Sequence, residues 1–208
     1  MKRRIFLSGA LGVAGCGLAE RPYEQKRDWP LSVARPTVLP PDLNTAALPP
    51  GPRGWALLLR TVQAGPGLET RGLRSLQRDG SVRSDFYETW AVLPTQGVDA
   101  ALREWLAASG KFSAVLSPGS RLAADFIVEA TLTEFVADLR TGTARATMSL
   151  VVLASRDGAT RLLGQFALTG EAPVGSDDPV VIARALLGAL EKLLAATEQA
   201  LAGLTRRG

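Results

Sequence analysis

The chain has 208 residues, 46% of them hydrophobic, which is enough to bury one core and too little for two ordinary domains. It carries 24 basic and 20 acidic residues, and residues 1–15 hold three of the basic ones and none of the acidic ones. Without those 15 residues the count would be 21 basic against 20 acidic, so charge gives no reason to expect nucleic acid as a partner.

The residue types that most enzymes rely on are scarce. The chain has no histidine and one cysteine, which excludes histidine-dependent triads, Cys-His dyads and zinc sites built from imidazole and thiolate. Glu129 and Glu134 lie five residues apart in one predicted strand, and alternation would put them on opposite faces. Asp177 and Asp178 are explained by a helix start. We therefore predict no enzymatic activity, no cofactor and no metal.

The first 16 residues have the pattern of an export signal. Three basic residues at 2–4 precede the apolar run 5–11, and small residues then lead to Cys16. Val-Ala-Gly-Cys resembles a bacterial lipobox, which predicts a signal peptide over residues 1–15 and acylated Cys16 as the mature N-terminus. An ordinary signal peptide or a buried apolar segment is the alternative, and the run is too short to span a bilayer. Residues 3–7 also resemble a twin-arginine motif, so both export routes stay open.

A proline-rich segment follows the signal. Residues 17–54 hold eight of the 13 prolines, and proline fixes φ and removes a hydrogen-bond donor. We predict a lipidated tether over residues 16–28 and one domain over residues 29–205. Residues 29–35 alternate apolar and polar side chains and could form an edge strand.

Within the predicted domain, apolar and polar residues alternate as in a sheet with one buried face. Strands are predicted at 55–62, 73–77, 82–90, 112–116, 125–136, 143–154 and 161–171. Asp79 and Gly80 favour a tight hairpin turn between the second and third of these. Alternation of this kind is typical of antiparallel sheets.

Two helices complete the predicted fold. The first runs from about Gln96 to Ser109, with Thr95 as its N-cap and Gly110 at its left-handed C-terminal end. The second is announced by Asp178 as N-cap and Pro179 in the first turn, and runs to about residue 205. The sequence thus predicts an α+β domain with a mostly antiparallel sheet and two helices packed on one face.

The order of these elements resembles the ABC-type transport auxiliary lipoprotein family, the PqiC-like proteins. The likeness rests on Tyr87 and Trp90 before the first helix, and on Gly110 and Phe112 after it. Read alone, the two aromatics at 87 and 90 favour core packing over a ligand role. The resemblance implies a structural role for these four residues and brings no catalytic residue.

The resemblance also implies partners and a place. It implies a periplasmic accessory of an ABC transport system of the mammalian-cell-entry class, moving lipids or other hydrophobic compounds, with a mammalian-cell-entry protein and ABC permease and ATPase components as partners. Gly17, where enterobacteria-like sorting uses Asp for inner-membrane retention, favours the outer membrane. A lipoprotein that itself binds a lipid or small hydrophobic molecule is the alternative, and self-association is a further option.

Overall fold

The computed structural model describes residues 24–37, 54–156 and 159–204, and Cys16 lies outside them. Within these residues there are nine strands and two helices. In chain order they are β1 Arg27–Trp29, β2 Ala56–Leu59, β3 Gln63–Ala64, β4 Gly72–Leu76, β5 Val82–Trp90, α1 Pro94–Ala108, β6 Ala114–Leu116, β7 Phe126–Asp138, β8 Thr143–Arg156, β9 Ala159–Pro173 and α2 Pro179–Leu204.

Strand β7 organises the sheet. One of its edges pairs with the antiparallel strand β8 along nearly its whole length. Its other edge carries three short strands one after another, since β2, β3 and β4 all run parallel to it. On this same side of β7 the sheet continues beyond β4 to β5 and β1 and beyond β2 to β6, while β9 lies on the other side, outside β8.

The expectation of a mostly antiparallel sheet is wrong. Among the described residues five strand pairings are parallel and three are antiparallel, so the sheet is mixed. The reason is the crossover connection between β4 and β7. Strands β2, β3 and β4 lie along one edge of β7, and the chain then passes through β5, α1 and β6 before it returns as β7 in the same direction as these three strands. Side-chain alternation is the same in parallel and antiparallel strands, so it does not indicate the direction of a neighbouring strand.

In the first half of the sheet the predicted hairpin is confirmed, and the first strand lies at a different position from the predicted one. β4 and β5 form the predicted antiparallel hairpin, and Gly80 adopts a φ of 88° at its turn. The Asp79 carboxylate accepts the Ser81 backbone N–H at 2.9 Å and tightens that turn. The edge strand expected at residues 29–35 is wrong in position: β1 covers Arg27–Trp29, shares only Trp29 with that range and pairs in parallel with β5.

The two helices begin differently. Helix α1 starts at Pro94, with Leu93 at the N-cap and no side-chain cap, so the capping role expected of Thr95 is wrong. Gly110 follows its C-terminus at a φ of 66°, the left-handed conformation that glycine favours. Helix α2 starts as predicted: Pro179 occupies its first turn, and the Asp178 carboxylate accepts the Val180 N–H at 2.7 Å.

Both helices and the inner face of the sheet close one core. The shared cluster includes the inward residues of β7 and β8 and the apolar stripes of α1 and α2. Helix α2 packs very closely on β9 at Gly170, where an added Cβ would lie 2.1 Å from the Ala189 carbonyl oxygen and 2.4 Å from the Leu193 nitrogen. Glycine at this one position sets the distance between helix and sheet.

Candidate docking surface

The outer face of the sheet is polar, as alternation predicts. On β8 the inward residues Ala144, Ala146 and Met148 are fully buried, while Arg145 and Thr147 are partly exposed on the other face. Arg145 Nε donates to Glu171 Oε1 at 2.8 Å, and this hydrogen bond together with nearby carboxylates raises the pKa of the arginine. Arg145 Nη1 also lies 3.9 Å from Glu134 Oε1 of β7, so charged side chains join three strands on this face.

Glu134 also belongs to this outer face, contrary to the sequence prediction. A β-bulge between Leu132 and Glu134 inserts Thr133 and reverses the alternation, so Glu134 pairs with Thr147 and shares a face with Glu129. The two carboxylates have different partners: Glu134 Oε2 accepts the Thr147 hydroxyl at 3.2 Å, and Glu129 makes a 2.9 Å ion pair with Arg60. Each carboxylate therefore belongs to a separate polar contact on the surface, and the two do not form a carboxylate pair.

One edge of β9 carries no partner strand within the described part of the chain. β9 pairs with β8 alone, and a bulge at Leu163 interrupts the ladder near its start. From Gly164 to Ala172 the register is continuous, and Glu171 is the one charged residue in that stretch. Pro173 follows, so a bulge and a proline bracket nine residues of regular edge.

The direction of the edge amides follows from the register. Val174 N–H donates to the Gly142 carbonyl oxygen at 2.8 Å, which continues the β8–β9 ladder by one residue. Because antiparallel hydrogen bonding alternates, the N–H groups of even-numbered residues from 164 to 172 point to β8 and those of the odd-numbered residues point outward. Gln165, Ala167 and Thr169 thus offer donors to an added strand.

The cavities of the described residues are small or polar. A pocket of about 210 Å³ beside Trp55 and Phe126 has mixed walls that include Asp125 and Arg161, and ligand sites for drug-sized molecules start at roughly 300 Å³. Larger depressions of about 590 and 740 Å³ are lined mainly by polar side chains and glycine. No helix in the described ranges is long and apolar enough to cross a membrane.

A buried carboxylate fixes the N-terminal segment to the helices. The Glu198 side chain on α2 is fully buried, and it accepts hydrogen bonds from Arg35 Nε at 2.9 Å and Trp105 Nε1 at 2.8 Å. Lys111 Nζ lies 2.8 Å from Glu198 Oε1. Burial alone would raise the pKa of Glu198, but the hydrogen bonds from Arg35, Lys111 and Trp105 and the charge of Lys111 outweigh it and lower the pKa to about 2.

This cluster was missed at the level of sequence, although a signal existed. Glu198 lies four residues after Leu194 and three before Leu201, which places it on the apolar stripe of α2. A carboxylate on such a stripe requires buried cationic partners. Those partners come from positions 35 and 111, whose proximity only the fold establishes.

The four residues that carry the family resemblance occupy different environments. Trp90 is buried, and its ring centroid lies 5.5 Å from that of Phe135. Phe112 is buried beside the end of α1, which Gly110 terminates. Tyr87 is 39% exposed and lies next to Phe86, which is 74% exposed. The structure does not bring the four together into a site.

Comparison with known proteins decides the family. The model of the ABC-type transport auxiliary lipoprotein component matches residues 38–206, which is most of the chain. The chain belongs to the ABC-type transport auxiliary lipoprotein family. This is a family of transport components and not of enzymes. No curated protein sequence matched the chain.

Solved structures share the fold of this family member. A protein from Xanthomonas campestris is similar with a TM-score of 0.65 at 19% identity, over 78% of this chain and 94% of its own. A hypothetical protein from Chlamydia trachomatis is similar with a TM-score of 0.52 at 12% identity, over 74% of this chain and 99% of its own. At such identities the likeness concerns the fold alone.

Proposed function

We propose that this auxiliary lipoprotein is a lipid-anchored adaptor that docks an ABC transport assembly of the mammalian-cell-entry class. The family supplies the link to ABC transport, and the outer edge of β9, which has no partner strand among the described residues, supplies a docking surface. That edge is the single observation that carries the proposal, because an ordered edge of nine residues can take up an extended segment of a partner through main-chain hydrogen bonds.

A docking role is favoured over a role as lipid carrier, because the apolar surfaces of the domain are already buried in its core. The inner face of the sheet and the apolar stripes of both helices are buried together in one core. A carrier of this size would need a second concave apolar surface, and the outer face holds Arg145, Glu134 and Glu129 instead. We propose that the cargo is a lipid or another hydrophobic compound that moves through the partners and not through this domain.

We further propose that the chain is anchored by acylated Cys16 at the periplasmic face of the outer membrane. The lipobox pattern and Gly17 support this placement. Density-gradient separation of envelopes measures it directly, and co-migration with inner-membrane markers would remove the outer-membrane assignment.

The docking role can be tested with two substitutions at one edge residue. Ala167→Pro removes an N–H that points away from β8, so β9 keeps its own ladder while an added strand loses a donor. Ala167→Val keeps that N–H and is the matched control. Tagged chains would be purified from detergent-solubilised envelopes, and the accompanying proteins and lipids identified by mass spectrometry.

The adaptor model makes a definite claim about this experiment. The wild-type chain and Ala167→Val should recover a mammalian-cell-entry protein with permease and ATPase components, and Ala167→Pro should recover much less of them. Equal recovery with all three chains would place the contact elsewhere than β9. Stoichiometric lipid beyond the acyl chains of Cys16, with no transport protein, would replace the adaptor by the carrier.

A further inference from the structure

An aromatic bulge interrupts β5 at the flank of the sheet. The β4–β5 ladder is regular from Leu76 and Val82 to Arg74 and Ser84, and it resumes only where Gly72 faces Thr89. Residues 85–88 therefore oppose the single residue 73, so β5 carries three extra residues at this point. An insertion of this size redirects the side chains within it.

The bulge is held in a defined shape. The Asp85 carboxylate accepts the backbone N–H groups of Tyr87 at 2.9 Å and Glu88 at 3.0 Å. Its other oxygen accepts Arg83 Nη2 at 2.8 Å. The Glu88 side chain points inward and accepts Trp29 Nε1 at 2.8 Å. The acidic groups of the bulge are thus occupied internally, and the aromatic ones are left outside.

Phe86 and Tyr87 form an exposed pair with a cation above it. Phe86 is 74% exposed, and its ring lies edge-on to Tyr87 with centroids 5.2 Å apart and planes at 87°. Lys26 Nζ lies 5.5 Å from the Phe86 centroid. An aromatic pair beside a lysine whose stem is apolar and whose head is charged is the chemistry found where a protein meets the headgroup region of a bilayer.

With Cys16 acylated as proposed, the chain tethers this bulge near a membrane. Lys26 is ten residues after Cys16, and ten residues span at most about 36 Å when fully extended. Lys26 Nζ lies 5.5 Å from the Phe86 centroid, so this short tether lets the bulge reach the membrane that holds Cys16. The free edge of β9 is at the opposite flank of the sheet, since the strand order runs from β1 and β5 through β4, β7 and β8 to β9.

We propose that the bulge of residues 85–88 inserts Phe86 and Tyr87 into the headgroup region of the membrane that holds Cys16. This inference rests on the proposed acylation. The contact orients the domain, because a bilayer at the β5 flank turns the β9 edge toward the periplasm, where a partner can reach it. The ligand is the phospholipid surface, and a protein partner for the bulge is the competing outcome.

Tryptophan substitution with brominated phospholipids tests the contact. Phe86→Trp keeps an aromatic ring in the bulge and adds a fluorophore that bromine atoms quench at short range. Leu122→Trp is the matched control: Leu122 is 68% exposed, and its loop follows β6, which lies beyond β2 at the end of β7 opposite to the end that carries β4 and β5. Both chains, acylated and beginning at Cys16, would be reconstituted into vesicles of phosphatidylethanolamine and phosphatidylglycerol, with wild-type protein as background.

The outcomes separate this inference from the proposed function. With brominated lipids we expect the extra emission of F86W to shift to the blue and to be largely lost, and that of L122W to be unchanged. If the chain floats with the vesicles while F86W emits as in water, this inference is overturned and the anchor stands. If F86W becomes shielded only in native envelopes, a protein partner replaces the membrane. A chain that does not float at all overturns the anchor and this inference together.

Discussion

Glu198 of α2 accepts two hydrogen bonds from Arg35, at 2.9 Å from Nε and 3.1 Å from Nη2, across 163 residues of chain. The carboxylate is fully buried, and 15% of the guanidinium side chain is exposed. The N-terminal segment is therefore attached to the C-terminal helix through a charged contact inside the protein. The segment that follows β1 is thus held against α2, while β1 itself is held by its pairing with β5.

Removing the charge of Glu198 should destabilise the domain. Glu198→Gln takes away the negative charge that faces Arg35 and Lys111 and leaves the cations buried, which we expect to lower the free energy of unfolding by about 3 kcal/mol. Glu191→Gln makes the same change at a half-buried position of α2 and should cost less than about 0.5 kcal/mol. Urea unfolding measures both, and equal losses would contradict a special role for Glu198.

The contribution of Glu198 should disappear in acid. Its pKa is lowered from an ordinary value of 4.5 to about 2 in the folded protein, so the unfolded chain binds the proton more readily. The stabilisation is complete above pH 4.5 and is lost as the pH falls from there toward 2. Arg140 holds the pKa of Asp138 well below its usual range, so other carboxylates add to the acid loss.

The comparison of wild type with Glu198→Gln isolates the part due to Glu198. Their difference in free energy of unfolding should be constant from pH 7 to about pH 5 and should shrink as the pH is lowered further. Urea titrations at several pH values give this difference. A difference that grows in acid would show that the pKa of Glu198 is not lowered in the folded protein.

Gly170 should not tolerate a side chain. A Cβ there would lie 2.1 and 2.4 Å from backbone atoms of α2, so Gly170→Ala must push the helix off β9, and we expect a loss of about 2 kcal/mol in the free energy of unfolding. Gly175→Ala is the control, because no atom lies within 4 Å of its added Cβ. Thermal unfolding of both variants tests this, and a neutral Gly170→Ala would mean that α2 can shift freely.

Cys16 should determine membrane attachment. Each buried methylene contributes about 0.8 kcal/mol, so the several chains of a bacterial lipoprotein hold a protein firmly while an unacylated one is released. We expect Cys16→Ser to move the protein to the soluble fraction or to leave it with its signal peptide. Gly17→Ala keeps the thiol and should remain attached. A processed Cys16→Ser chain that still fractionates with membranes would refute the lipoprotein interpretation.

Local patterns determined much of this protein. Alternation located β7, β8 and β9 within a few residues, and the Asp79-Gly80 step located the hairpin, because each depends on neighbours along the chain. The capping pair Asp178 and Pro179 marked the start of α2 for the same reason. The family, too, was recognisable from the order of such elements.

Tertiary structure decided what depends on contacts distant in sequence. Alternation does not distinguish parallel from antiparallel neighbours, so the three parallel partners of β7 emerged only from the crossover through α1. A single inserted residue, Thr133, moved Glu134 to the outer face, and the insertion in β5 exposed Phe86. Glu198 could be buried because the fold brings Arg35 and Lys111 to it, and no local signal encodes a distance across the chain.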